Sequence, residues 1–214
     1  MTVADLVGAV QRRVETVQRD GRDARIAIAR RTYDAAIDDV WDALTNPERI
    51  PRWFLPVTGD LRVGGRYQLQ GNAGGTVERC DRPHRVGLTW EFGGDVTWLE
   101  LRLSEAAGGT VLELAHTAYV DPERWTEFGP GAVGVGWDLS LYGLGEHLRT
   151  AASLDPAEVE AWSVSPEGIE FITGASDGWA VAAIADGDDP DAAGAAAART
   201  TAFYTGESAS SASD

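Results

Sequence analysis

The chain has 214 residues, 43% of them apolar and 24% charged, proportions that suit a folded domain with its own core and exclude wholesale disorder. Its formal charge is −16, from 18 Arg, no Lys and 34 acids. Nucleic acids and anionic membranes need a basic face for counterion release, so neither is expected as a partner.

No run approaches the roughly 18 apolar residues of a spanning helix. The first residues carry acids and no apolar signal core, so a cytoplasmic location is expected. A single cysteine, Cys80, rules out an internal disulfide framework and a cysteine-rich zinc site.

In chain order, Val3, Leu6, Val7, Val10, Val14 and Val17 recur at three- and four-residue spacing. They predict an amphipathic helix over 3–20, closed by Gly21, as an N-terminal segment 1–22. ARIAIARRTY (24–33) alternates as a first strand. DDVWDALTNPERIPRWF (38–54) predicts two short helices, the second restarted by Asn46 as cap with Pro47 behind it. Glycine-punctuated strands follow: DLRV (60–63), RYQLQ (66–70), TVERC (76–80), RVGLTWEF (85–92), VTWLELRLS (96–104) and TVLELAHTAYV (110–120). The Gly-Gly pairs between them suit hairpin turns with positive φ, so consecutive strands are expected as antiparallel neighbours.

The period of two places Tyr67 and Leu69 on one face of their strand. Val86, Leu88, Trp90 and Phe92 share a face, as do Leu99, Leu101 and Leu103, and Leu112, Leu114 and His116. One face is thus greasy and needs a cover. The helix predicted over 131–152 supplies it through the stripe Val133, Trp137, Leu141, Leu144 and Leu148. Gly134, Gly136, Gly143 and Gly145 each weaken that helix by roughly 1 kcal/mol relative to Ala. They imply a close backbone approach or space left beside the helix.

Residues 153–205 form a different segment, acidic and alanine-rich. One Arg (Arg199) faces twelve acids over residues 153–214. Ser165-Pro166 and Asp189-Pro190 read as cap-then-Pro starts of two helices, with Ser176 a candidate break in the first. The small alanine surface would let two copies approach as a homodimer, against the repulsion of their negative charge. Residues 206–214 (GESASSASD) are expected to be a disordered tail.

The order of several short motifs across about 120 residues resembles a known family. They are Val40-Trp41, Leu44-Thr45-Asn46-Pro47-Glu48-Arg49, Arg52-Trp53-Phe54, Asp60-Leu61-Arg62-Val63-Gly64-Gly65, Thr89-Trp90, Gly109-Thr110, Leu114-Ala115-His116 and Gly136-Trp137. Over about 26–148 the chain resembles the family related to the activator of heat-shock protein 90 ATPase. That family lies in the START-like, helix-grip (SRPBCC) superfamily. The resemblance implies an α+β helix-grip domain over 23–152, with a curved antiparallel sheet wrapped on a long C-terminal helix and an apolar cavity between them. The N-terminal helix and the C-terminal helical extension are additions to it. Superfamily members include lipid and hormone binders, polyketide cyclases and chaperone co-factors, so a chaperone partner is implied by resemblance only.

Residue chemistry favours binding over catalysis. His84, His116 and His147 lack metal-ligand spacing, no nucleophile elbow is present, and a chain without Lys has no phosphate loop. No catalytic residue, metal or cofactor is assigned. The expected ligand is a small apolar molecule, contacted by Trp53, Phe54, Tyr67, Leu69, Trp90, Leu101, His116, Trp137 and Leu141. The alternatives are a cyclase- or hydrolase-type enzyme using His116 and Tyr67 in the same cavity, with Tyr119 a candidate third group, and a chaperone-linked interaction module.

Overall fold

In the computed structural model, which describes residues 2–206, the chain opens with α1 (Val3–Gly8), under a capping box between Thr2 and Asp5. The helix ends at Ala9 and a strand, β1 (Val10–Arg19), takes over. The helix expected over 3–20 is therefore corrected to one of six residues followed by a strand of ten. The valine spacing misleads because a step of four fits both periods: Val10 and Val14 lie on one face of a strand as well as of a helix. β-branched Val and Thr then favour the extended form. Asp20 and Gly21 both have positive φ, 51° and 73°. They form the two-residue hairpin turn into β2 (Arg22–Tyr33), so Gly21 is a turn residue and not a helix cap.

Next comes α2 (Ile37–Thr45), and Asn46 caps its C-terminal end rather than starting a second helix. The Asn46 side chain accepts from the Glu48 amide at 2.9 Å, and only a 3₁₀ turn, Ile50–Arg52, follows. The remaining strands are β3 (Val57–Gly59), β4 (Arg66–Leu69), β5 (Gly74–Asp81), β6 (Arg85–Phe92), β7 (Asp95–Ala106) and β8 (Gly109–Tyr119). Residues 60–63, expected as a strand, are a loop, and β3 just before them is the paired segment. The order β1-β2-β8-β7-β6-β5-β4-β3 makes one open, curved, antiparallel sheet.

Cross-strand partners share a face. The register pairs Tyr67 with Gly75, Val77 with Leu88, Val86 with Leu101, Trp90 with Thr97, Leu99 with His116, and Leu101 with Leu114. The apolar sets read strand by strand thus merge into one continuous face.

Four helices in addition to α1 and α2 carry a cap-then-Pro or late-chain signature: α3 (Pro122–Phe128), α5 (Pro156–Ser163), α6 (Pro166–Ala185) and α7 (Pro190–Thr205), capped by Asp121, Asp155, Ser165 and Asp189. Between α3 and α5 runs the long α4 (Gly131–Thr150). Ser176 does not break α6. Its hydroxyl donates to the Ile172 carbonyl at 2.8 Å, which keeps it inside an intact helix. The tail predicted over 206–214 lies, beyond Gly206, outside the described residues. The elements together make an α+β helix-grip fold with a long C-terminal helix and further helices after it.

The chain divides into two compact units that are not consecutive pieces of sequence. A sheet unit holds residues 30–119 and 140–154; a helical unit holds 2–29, 120–139 and 155–206. In the helical unit Arg12 of β1 donates through Nε to Asp138 of α4 at 2.9 Å, and the Trp179 indole of α6 donates to the same carboxylate oxygen at 2.8 Å. Asp138 is fully buried. Arg25 pairs with Asp188 at 2.8 Å and lies over the Trp125 ring, whose Nε1 also donates to Asp188. Part of the alanine surface is used within the chain, where Ala180 of α6 packs on Ala193 and Ala197 of α7. Gly134 is required where it stands, since a Cβ there would lie 2.3 Å from the Trp179 ring.

Candidate functional site

The apolar face of the sheet unit is unevenly packed. Leu99, Leu103, Leu112 and Leu114 are at most 5% exposed, while Leu88, Trp90 and Leu101 on the same face stay half-buried. Tyr67, Leu69 and Val77 form a buried cluster with Phe54, Leu55, Val57, Leu61, Leu88 and Trp90 packed against it. Trp53 stacks on Phe54 with centroids 5.5 Å apart, and its indole N–H is anchored on the Ala43 carbonyl of α2 at 2.9 Å. The short connection after α2 thus delivers two aromatic rings to the sheet's cluster.

The polar groups on this face are committed. Tyr67 donates to the Thr89 carbonyl at 2.7 Å, and burial raises its hydroxyl pKa well above the ordinary value. His116 meets the Thr97 hydroxyl through Nε2 at 2.7 Å, and Thr97 donates its own proton to the Trp90 carbonyl at 3.0 Å. A carbonyl can only accept, so the Thr97 proton points there and Nε2 of His116 must be the donor in the other bond. Burial pulls the His116 pKa down to about 4, leaving a neutral imidazole. The Trp90 ring stands edge-on to it at 6.1 Å.

The second half of α4 closes on this unit through its backbone. The Leu141 carbonyl accepts from Arg31 Nη1 at 3.0 Å and from the Tyr33 hydroxyl at 2.9 Å, both from β2. One turn on, Gly145 leaves room for the end of the Arg31 side chain, since a Cβ there would sit 2.9 Å from Nη2. Near the helix end, His147 is buried between the Ala152 carbonyl, 2.7 Å from Nδ1, and Arg49, whose guanidinium also pairs with Asp39 and Asp42. The carbonyl fixes the proton on Nδ1, so Nε2 accepts from Arg49.

Of the residues named from sequence, Trp53, Phe54, Tyr67, Leu69 and Trp90 meet in and around one cluster. Leu101 and His116 share their sheet face, and Leu141 is buried on the α4 segment of the same unit. Trp137 is buried on the first half of α4, in the helical unit. Tyr119 is corrected. Alternation puts it opposite His116, and its ring packs edge-on against Trp98 at 5.2 Å. Arg31 was not singled out by sequence reasoning, Arg49 entered only within the Leu44–Arg49 motif, and His147 only as a histidine without metal-ligand spacing. A lone Arg in an alternating strand reads as a solvated residue, and the position of Gly145 against β2 is visible only once α4 is docked. Among the described residues no group of three or more His, Cys, Asp or Glu could hold a metal ion. No helix among them is long and apolar enough to cross a membrane.

A family model described as Activator of Hsp90 ATPase homolog 1-like protein matches residues 34–149, more than half of the chain. The chain belongs to this family. The crystal structure of CalU16 from Micromonospora echinospora is 38% identical with a TM-score of 0.67, covering 81% of this chain and 98% of CalU16. Its solution structure gives 37% identity, a TM-score of 0.70, and 83% and 97% coverage. That match is longer than the family segment, so parts of the chain outside 34–149 also have counterparts in CalU16. DynU16, a protein of the dynemicin biosynthetic locus, is 19% identical with a TM-score of 0.53, over 60% of this chain and 48% of DynU16. It shares the fold alone. No curated protein matches the chain.

Proposed function

We propose that this chain binds a small, mainly apolar molecule without transforming it, between the inner face of its sheet and residues 140–150 of α4. The observation that carries the reading is the half-burial of Leu88, Trp90 and Leu101 on a face where Leu99, Leu103, Leu112 and Leu114 are sealed and Phe92, the last residue of β6, is exposed. A fully packed core would bury all three, each for about 2 kcal/mol. Apolar side chains left short of burial among buried neighbours mark a surface that a ligand can complete. Nothing on this face favours catalysis. The one imidazole has its Nε2 proton engaged by Thr97, and its basicity lies far below the value near 7 that suits a general base.

Titration with dodecan-1-ol, followed by tryptophan fluorescence, tests the reading. A saturable change at one molecule per chain is expected, weakened by Leu101→Ala. A flat titration at probe concentrations up to the solubility limit would refute it.

A further inference from the structure

Arg31 is among the buried polar residues, 9% exposed, on β2 beneath α4 of the sheet unit. Three other shielded arginines of this chain each face a carboxylate: Arg12 faces Asp138, Arg25 faces Asp188 and Asp186, and Arg49 faces Asp39 and Asp42. Arg31 faces none among the described residues. Its partners are the Leu141 carbonyl, through Nη1, and the Tyr33 ring, 5.2 Å from the guanidinium carbon. Shortage of acids is no explanation in a chain with 34 of them.

A largely buried cation without a counterion is costly, and one helix carbonyl offsets only part of that cost; Arg31 Nε and Nη2 are not among the fully buried atoms that lack a partner, so an approaching group can reach them. Yet the fold makes room for the cation. The turn of α4 over it carries Gly145, where any Cβ would press on Nη2, and the Tyr33 hydroxyl shares its carbonyl. With Nη1 on Leu141, Nε and Nη2 have no hydrogen-bond acceptor among the described residues. A planar guanidinium offers such a free edge to a carboxylate as two parallel bonds.

We infer that the ligand is an amphipathic acid, whose anionic group, a carboxylate or its equivalent, is held by Arg31 while its apolar body lies on the inner face. This rests on the binding reading above and adds to it the chemical class. Such a ligand supplies the counterion that the chain withholds. The overall charge of −16 would repel anions at long range, so recognition must come from this one shielded cation rather than from steering.

The test compares dodecanoate with dodecan-1-ol, which differ only at the head group, on the full chain at neutral pH. Dodecanoate is expected to bind at least about tenfold more tightly, in keeping with a charge-assisted bidentate pair. Arg31→Gln should abolish that preference while leaving the alcohol's affinity within about twofold, and Arg31→Lys should retain part of it. Equal affinity of acid and alcohol for the wild type, a comparison that needs no variant to fold, overturns the role of Arg31 and leaves apolar binding standing. A preference that survives in Arg31→Gln also overturns it. If neither probe binds the wild type, the binding reading itself fails, and the inference with it.

Discussion

His116 should make the stability of this protein depend on pH in a direction that its neighbours dictate. Its folded pKa is pulled to about 4 by burial, against about 6.5 for an unfolded histidine. The folded state therefore binds fewer protons between these values, and stability is fully present above pH 6.5 and falls as the pH drops through the window. At pH 4.5 the unfolded imidazole is protonated at a cost to folding on the order of 2–3 kcal/mol, taking roughly 1.4 kcal/mol per pH unit over the two units below 6.5. His116→Gln keeps a donor for Thr97 and removes the titration. Urea unfolding at pH 7.5 and pH 4.5 should give a wild-type loss larger than that of His116→Gln by roughly 2–3 kcal/mol. An imidazole that titrates near 6.5 in the folded protein by NMR would refute the reasoning. So would identical pH dependence of the two proteins.

Three further expectations follow from particular contacts. Asp138→Asn keeps an oxygen that can accept from both Trp179 and Arg12 but removes the carboxylate charge, leaving the shielded Arg12 guanidinium without a counterion. It should cost about 3 kcal/mol, or roughly 6–12 °C in melting temperature, and the paired change Arg12→Met with Asp138→Leu should cost much less than the sum of the single changes. Gly134→Ala gains about 1 kcal/mol of helix propensity but drives a Cβ to 2.3 Å from the Trp179 ring. Overpacking of about 1–3 kcal/mol should prevail, read as a lower urea midpoint and a shifted Trp179 emission. Leu101→Ala should weaken dodecan-1-ol binding by up to about tenfold, measured in the same fluorescence titration, with the alcohol and dodecanoate affected alike.

The strands from β4 to β8 and the one greasy face were legible in the sequence, because a period of two is a local fact that needs no partner to be read and Gly93-Gly94 and Gly108-Gly109 do mark turns; Gly74-Gly75, read as a turn, lies instead inside β5, after a turn at Gly71. Helices α6 and α7 were legible for the same reason: Ser165-Pro166 and Asp189-Pro190 announce their starts. The identical signatures at Asp121-Pro122 and Asp155-Pro156 open α3 and α5 and passed unread, since each of these helices has only seven or eight residues and no clear apolar stripe. The N-terminal strand defeated the reading because a four-residue step satisfies helix and strand alike. What decides such a segment is whether a neighbouring strand offers its backbone hydrogen bonds, a nonlocal fact.

The site divides along the same line. Which residues share the inner face is a matter of parity, so Tyr67, Leu69, Trp90, Leu101 and His116 could be named from sequence. Tertiary structure alone decided how tightly each is packed, which proton His116 carries, and that Tyr119 turns away toward Trp98. It alone decided which arginines have counterions. Arg12 and Arg31 both lie on strands, β1 and β2, that the structure sets side by side. Asp138 reaches one of them from 126 residues away, and no acid among the described residues reaches the other. Charge pairing over such distances is set by how helices dock, and no spacing rule in the sequence encodes it.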